Sequence, residues 1–192
     1  MEKIGAGAMA DVIVLSRPLI DELTAGGRAR RDGCADLGRV RTGIAVPSRA
    51  TPLPDVSTQS SLLSALRAAD EIYFPDPQRA TAGIHFMKVL ATLALDRELE
   101  SRLRPFPNGA TAMRELALAR GRAIGCTQVT EIVATPGVTL VATLPRQFEL
   151  VTMYSAAVSA ATGNPSIAQQ LVERLTGSSA RTLRAAGGFE LD

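Results

Sequence analysis

The sequence is poor in aromatic residues and in the side chains that most often bind metals. Aromatic residues make up 4% of its 192 positions, with no tryptophan and two tyrosines, so a ligand held between stacked rings is disfavoured. His85 is the single histidine, and Cys34 and Cys126 are the two cysteines, too few for a disulfide scaffold or a histidine-based zinc cluster. We therefore predict neither a metal site nor a cofactor, and we expect Cys126 to be a small buried hydrophobe in a strand.

Long apolar runs and a basic leader are also absent from the sequence. No apolar stretch approaches the roughly 20 residues that cross a membrane, and no basic, then apolar, then small-residue segment precedes Asp11. As written, the chain is expected to stay in the cytoplasm. The net charge is only +2, and the basic cluster of Arg28, Arg30 and Arg31 follows two glycines, which indicates a solvated loop. We predict no nucleic-acid partner, since few aromatic residues accompany the basic ones.

What the sequence does contain is one plan that recurs along the chain. Residues 71–95 indicate a short apolar strand, a loop rich in proline and aspartate, and an amphipathic helix that opens at Thr81. Residues 10–23 and 102–119 follow the same plan, and the apolar segment 11–15 is expected to be a buried parallel strand. We predict an α/β fold in which helix N-termini meet at one sheet edge, where free N–H groups favour an anion.

Four loops at the predicted carboxyl ends of strands supply the candidate ligand-binding residues, because ligands of open α/β sheets bind beyond these ends. Hydroxyls, amides, two guanidinium groups and bare backbone N–H donors suit a dehydrated oxyanion or a carboxylate. The candidates are Ser16 and Arg17 in the first loop, Arg79, Thr81, Ala82 and Gly83 in the second, Asn108, Gly109 and Ala110 in the third, and Thr127 and Gln128 in the fourth.

Several candidates have a plain structural alternative. Thr81 can serve only as a helix cap, Asn108 only as part of a turn, and Arg79 only as a surface charge. His85, about one turn into the helix, is either a residue at the edge of the core or a general base that faces the cleft. Asp76 precedes a proline and is more often a turn residue than a catalytic acid. No catalytic residue is predicted for a binding protein, and His85 and Asp76 are the candidates for an enzyme.

Four segments resemble the periplasmic molybdate-binding-protein family, whose members are type II substrate-binding proteins of ABC transporters. They are DVIVLSRPLIDEL, ATAGIHFMKVL, AIGCTQVTEI and LTGSSARTLRAAGGFE. The resemblance covers nearly the whole chain and implies a two-lobed α/β fold that closes around an oxyanion held by backbone N–H and hydroxyl groups. By position, Ala82 matches the N–H donor of the Ala-Gly-Ile turn, and Ala110 lies near the donor that opens the next helix. Gln128 stands where molybdate binders often have a tyrosine, and some relatives bind organic carboxylates.

The resemblance also implies an organisation and a set of partners. Lobe I would comprise residues 1–47 and 149–192, and lobe II residues 48–148. Family members have a signal peptide and then a strand, a helix and a strand before the DVIVL segment, so lobe I is expected to be incomplete. We therefore expect the chain either to self-associate as a homo-oligomer or to be less stable than a full-length relative. The expected function is capture of a small anionic ligand, an oxyanion or a carboxylate, for the membrane subunits of an ABC importer. The alternatives are an isomerase like aconitate isomerase, which also resembles this family, and a cytoplasmic ligand sensor or inactive remnant.

Overall fold

The computed structural model describes residues 9–191, in which strands and helices alternate as far as residue 143. The strands are β1 (Val12–Ser16), β2 (Ala29–Pro47), β3 (Glu71–Pro75), β4 (Leu103–Phe106), β5 (Ala123–Gln128), β6 (Val138–Thr143) and β7 (Val151–Ser159). The helices are α1 (Arg17–Ala25), α2 (Gln59–Ala68), α3 (Thr81–Thr92), α4 (Gly109–Leu118), α5 (Val129–Val133), α6 (Pro165–Thr176) and α7 (Arg181–Ala186), and 3₁₀ turns lie at Glu100–Arg102, Arg146–Phe148 and Ser178–Ala180. Within the described range, no helix combines the length and the apolar character needed to cross a lipid bilayer.

The chain packs into two compact units. Unit 1 comprises Met1–Val40 and Thr152–Asp192, and unit 2 comprises Arg41–Val151. Residues 1–8, which belong to the expected lobe I, lie outside the described range. The sequence-based boundaries stand at 47–48, directly after Pro47, and at 148–149, whereas the packing changes from one unit to the other inside the 19-residue strand β2.

Unit 1 contains β1, β7 and the first part of β2. β1 runs antiparallel to β7 and is the last strand in the sheet order of the described residues. The expectation of a buried parallel strand at 11–15 is therefore wrong: Ile13 is buried, but Val14 is 46% exposed. Antiparallel strands commonly keep one face toward solvent, which explains the exposed apolar side chain. Self-association through this unit stays a prediction, which light scattering can test.

The start of β2 corrects a second expectation. The strand begins at Ala29, so Arg30 and Arg31 lie in a strand and not in a loop, although both side chains are exposed as expected of a solvated segment. Gly33 lets β2 approach β7 closely, because a Cβ there would lie 2.8 Å from the Cβ of Val158. Pairing with β7 thus overrides the local turn signal of the two preceding glycines.

Unit 2 is a mixed sheet with helices on both faces. β3 pairs in parallel with β4 and β5, while β2 pairs antiparallel with β5 and β6. One face carries the larger core, in which Phe74 of β3 packs edge-on against Phe86 of α3 with 5.5 Å between the ring centroids. The other face carries the apolar side of α4, including Met113. The side chains of β5 alternate between the two faces, with Ala123 on the second and Cys126 on the first, where Cys126 is fully buried as predicted.

Candidate functional site

The carboxyl ends of three parallel strands of unit 2 meet at one sheet edge, which we call the carboxyl edge. β3, β4 and β5 end there at Pro75, Phe106 and Gln128. The helices α3, α4 and α5 each begin just after one of these strands. Since α3 and α4 pack on opposite faces of the sheet, their N-termini approach the edge from its two sides, each with the partial positive charge of a helix start.

The first turn of α3 has no internal partner for its amides. Its N-cap, Ala80, has no side-chain oxygen and makes no capping bond. The amides of Thr81, Ala82 and Gly83 make no hydrogen bond to any group within residues 9–191. Ala82 is only 4% exposed, so its surroundings are dry enough for an unpaired donor to be costly. Buried, uncapped helix starts are where proteins bind anions through backbone N–H groups.

The loop before α3 holds this turn against the end of β3. A Cβ on Gly83 would lie 2.2 Å from the carbonyl oxygen of Pro75 and 2.3 Å from that of Asp76, so only glycine fits. The Asp76 carboxylate accepts hydrogen bonds from the amides of Gln78 at 2.7 Å and Arg79 at 3.1 Å, which are the contacts of a turn residue. The Arg79 guanidinium is exposed and makes no hydrogen bond or ion pair within the described residues.

The first turn of α4 is closed by side chains of the chain itself. Asn108 caps the helix, its side-chain oxygen accepting a hydrogen bond from the Thr111 amide at 2.8 Å. The Ala110 amide donates to Oε1 of Glu131 at 3.2 Å. Asn108 and Ala110, both candidates for ligand contact, therefore make internal hydrogen bonds at the carboxyl edge.

Glu131 is a residue of this edge that is absent from the sequence candidates. Its Oε2 accepts a hydrogen bond from the Thr127 hydroxyl at 2.5 Å. A Cβ on Gly109 would lie 2.0 Å from Oε2 and 2.1 Å from the Thr127 hydroxyl oxygen, so glycine is needed while Glu131 holds this position. The sequence did contain a signal, because Glu131 is an acidic residue in the first turn of α5, four residues after Thr127.

Gln128 and Thr42 lie opposite each other where β5 reaches the carboxyl edge. They are register partners of the β2–β5 pair, and they are 3% and 1% exposed. The Thr42 hydroxyl makes no hydrogen bond to any atom of residues 9–191. Thr42 is not a sequence candidate because it lies inside a long strand, and only the pairing with β5 brings it to the edge.

The candidates of unit 1 are an ion-paired arginine and the serine before it. Arg17 donates to the carboxylates of Asp21 and Asp36, both at 2.9 Å, and these hydrogen bonds raise the pKa of Arg17 above its ordinary value. Asp36 also accepts a hydrogen bond from the Ser155 hydroxyl at 2.6 Å. Ser16 precedes α1 as its N-cap without a side-chain capping bond. The charge of Arg17 is thus already balanced by two carboxylates.

His85, the alternative general base, is tied to the backbone of unit 2. Its Nε2 lies 2.8 Å from the carbonyl oxygen of Phe148. Because a carbonyl oxygen only accepts, Nε2 carries the proton of this hydrogen bond, and Nδ1 is the other ring nitrogen. Within residues 9–191, no three side chains of histidine, cysteine, aspartate or glutamate are grouped as they would be around a metal ion.

Three comparisons with known proteins relate this geometry to others. A family model described as bacterial extracellular solute-binding protein matches residues 1–190. An aconitate isomerase from a Pseudomonas species is 29% identical over 168 residues, which are 86% of this chain and 62% of that protein. The periplasmic molybdate-binding protein of Azotobacter vinelandii superposes with a TM-score of 0.79 at 17% identity, and the match covers 100% of this chain and 82% of that one. The substrate-binding protein of an ABC transporter from Agrobacterium tumefaciens has a TM-score of 0.70 at 17% identity, covering 96% of this chain and 64% of that one.

These matches bear on fold and family in different ways. At 17% identity the two structures establish the fold, and they confirm the type II periplasmic-binding-protein fold and the molybdate-binding-protein-like resemblance predicted from the sequence. The chain spans less than two thirds of the length of the isomerase. The family model, in contrast, matches nearly every residue of the chain. The chain belongs to the family of bacterial extracellular solute-binding proteins.

Proposed function

We propose that this protein captures a small oxyanion or an organic carboxylate for an ABC importer, with the start of α3 as the anion-binding element. The observation that carries the proposal is that the amides of Thr81, Ala82 and Gly83, in a largely buried turn, have no hydrogen-bond partner in the part of the chain that the structure describes. Two relatives of the same fold support it, one a molybdate-binding protein and the other the substrate-binding protein of an ABC transporter. The importer's membrane subunits would be the protein partner.

The physical basis is the pairing of open donors with a negative charge. Three amides at a helix start add the dipole of α3 to their hydrogen bonds. Hydrogen bonds to a charged group contribute about 1.5–3 kcal/mol each, more than those between neutral groups. Arg79, two residues before the helix and without a partner within residues 9–191, adds a guanidinium that matches a planar carboxylate or an oxyanion.

The test removes one amide donor at the start of the helix, with a control for the side chain that is lost with it. Thr81→Pro deletes the N–H of the first helical residue, a position where proline is tolerated, and Ala80 already has the extended backbone, with φ −94° and ψ 129°, that a residue before proline needs. Thr81→Ala is the matched control, because it removes only the hydroxyl. We expect Thr81→Pro to weaken binding of molybdate or trans-aconitate about tenfold or more, as measured by titration calorimetry.

Two results would contradict the proposal. One is a wild-type protein that binds neither molybdate, nor sulfate, nor trans-aconitate. The other is equal affinity in Thr81→Pro and Thr81→Ala with both variants folded, since that outcome would mean that the open amides of α3 do not touch the anion.

A second candidate function is isomerisation of a tricarboxylate, which the 29% identity to an aconitate isomerase favours. Such a reaction moves a proton from one carbon to another together with the double bond, so it needs a base but no external oxidant or reductant. His85 offers Nδ1 as a proton acceptor, whereas the Asp76 carboxylate already accepts two backbone N–H groups. Incubation of the protein with trans-aconitate, followed by NMR, would detect turnover, and its absence beside a ligand-dependent melting shift would leave a binding protein.

Experiment can also test where the protein is located and whether it serves transport or sensing. The cytoplasmic location expected from the sequence stays a prediction, and the Azotobacter relative is periplasmic. A ligand sensor would share the binding behaviour of a transport protein and differ in its partner. Co-purification with membrane subunits of an ABC importer would separate the two roles.

A further inference from the structure

We propose that Glu131 is a positioning residue that directs the ligand's negative charge to the start of α3 by occupying the start of α4. This inference rests on the proposed function and narrows it. The carboxyl edge carries the starts of α3, α4 and α5, and Glu131, in the first turn of α5, makes the starts of α3 and α4 unequal. Glu131 thereby becomes a determinant of which anions unit 2 accepts.

Both carboxylate oxygens of Glu131 accept a hydrogen bond from a neighbouring residue. Oε1 accepts from the Ala110 amide at 3.2 Å, and Oε2 accepts from the Thr127 hydroxyl at 2.5 Å. Two donors that would suit an external oxyanion are therefore held by an internal one. Gly109 allows this close approach, because a Cβ there would lie 2.0 Å from Oε2.

The charge of Glu131 matters as much as its hydrogen bonds. A carboxylate at a helix start neutralises the partial positive charge that would attract an anion. It also repels an anion that approaches the remaining amide of that turn, Gly109, through a half-buried medium in which charges interact more strongly than in water. The first turn of α3 contains no acidic residue. The Asp76 carboxylate in the preceding loop accepts hydrogen bonds from the amides of Gln78 and Arg79 and from none of the α3 turn. The α3 amides therefore stay open to an anion, while the Ala110 amide of α4 does not.

A ligand class follows from this asymmetry. A ligand that presents a single anionic group to unit 2 can bind through that group to the amides of Thr81, Ala82 and Gly83. Its uncharged or hydroxyl-bearing part would then face Glu131. A ligand whose charge is spread evenly meets repulsion at α4. Within a series of anions of similar shape, each added negative charge should increase the penalty from Glu131.

The experiment compares Glu131→Gln with Glu98→Gln, using molybdate and perrhenate, two tetrahedral anions of similar size with charges of −2 and −1. Glu131→Gln removes the charge and can keep one of the two hydrogen bonds. Glu98→Gln removes the same charge from an exposed pair with Arg67, at the carboxyl end of α2 and away from the carboxyl edge. We expect Glu131→Gln to tighten molybdate binding about three- to tenfold at low salt and perrhenate binding by about the square root of that factor. Glu98→Gln should change either affinity less than twofold.

A readout that needs no ligand accompanies the titration. Amide hydrogen exchange of Ala110 should accelerate about tenfold or more in Glu131→Ala, while that of Leu62 in α2 stays unchanged. Unchanged or weaker molybdate binding in Glu131→Gln, or unchanged Ala110 exchange in Glu131→Ala, would overturn the role of Glu131. If the wild type binds none of the anions, the proposed function fails and the directing role fails with it, whereas Ala110 exchange still reports whether Glu131 holds the helix start.

Discussion

The starts of α3 and α4 lie at the same sheet edge and follow strands of nearly equal length, yet one is open and the other closed. α3 is preceded by Ala80, which cannot cap, and three of its amides have no partner within the described residues. α4 is preceded by Asn108, which does cap, and its next amide, that of Ala110, is taken by Glu131. The same strand–loop–helix plan thus leaves open N–H donors at one helix start, as the proposed anion binding requires, and uses the donors of the other for internal hydrogen bonds.

The contrast has an energetic side. A buried donor without a hydrogen bond costs about 1–3 kcal/mol, so the open turn of α3 is unfavourable for the protein without its ligand. Such a turn persists because the packing of Gly83 against β3 leaves the backbone little freedom to rearrange. The turn of α4 carries a smaller cost, since Asn108 and Glu131 satisfy the amides of Thr111 and Ala110 and leave only that of Gly109 without a partner within the described residues.

The largest expected effect comes from filling the space under the open turn. In Gly83→Ala the new Cβ would meet the carbonyl oxygens of Pro75 and Asp76 at 2.2 and 2.3 Å, and backbone atoms cannot yield as a flexible side chain can. We expect a loss of about 3 kcal/mol in the free energy of unfolding, the upper part of the range for overpacking, and a loss of anion binding. Gly163→Ala is the control, because no heavy atom lies within 4 Å of a Cβ there. Urea unfolding that gives equal stabilities for the two variants would show that the α3 turn is not constrained.

The next effect concerns the guanidinium beside the open turn. Arg79→Ala should weaken anion binding by about 1.5–3 kcal/mol if Arg79 contacts the ligand, and Arg79→Lys should recover only part of it, because the bidentate fork is lost. Arg120→Ala, which removes an exposed arginine between α4 and β5, serves as the charge-matched control. Calorimetry that finds Arg79→Ala equal to wild type would make Arg79 a surface charge.

The smallest effect is expected at the closed turn. Asn108→Ala removes the cap of α4 and should lower the free energy of unfolding by about 1 kcal/mol, with anion affinity changed less than twofold. Thr58→Ala, which removes the cap of α2, should lower the free energy of unfolding by a similar amount and serves as the reference for the loss of a helix cap. A large loss of affinity in Asn108→Ala with unchanged stability would show that Asn108 touches the ligand, and the comparison between an open and a closed helix start would fail.

Much of the carboxyl edge could be predicted from local patterns. The loop 76–80 and the helix that begins at Thr81 follow from proline, aspartate and helical periodicity, and the burial of Cys126 follows from its apolar strand. The pairing of β1 could not be predicted in this way, because an apolar run reads the same whether the strand is central and parallel or antiparallel at the edge. The strand that contains Arg30 and Arg31 could not be predicted either, because that segment is a strand only through its pairing with β7, which is distant in the sequence.

The sequence by itself determined the α/β class and the strand–loop–helix plan, because each depends on residues close together in the chain. It did not determine the cap of α3, since Thr81, the candidate cap, is the first helical residue and the cap position falls on Ala80. Only the tertiary structure decided that the Ala110 amide is taken. Its acceptor, Glu131, lies 21 residues further along, and the packing of α4 against α5 and β5 brings the two together. It likewise decided that Thr42 and Gln128 meet. Local sequence patterns do not predict which side chains from distant segments pack against a given helix start. Those side chains determine whether the backbone N–H groups at that start are free to bind an anion.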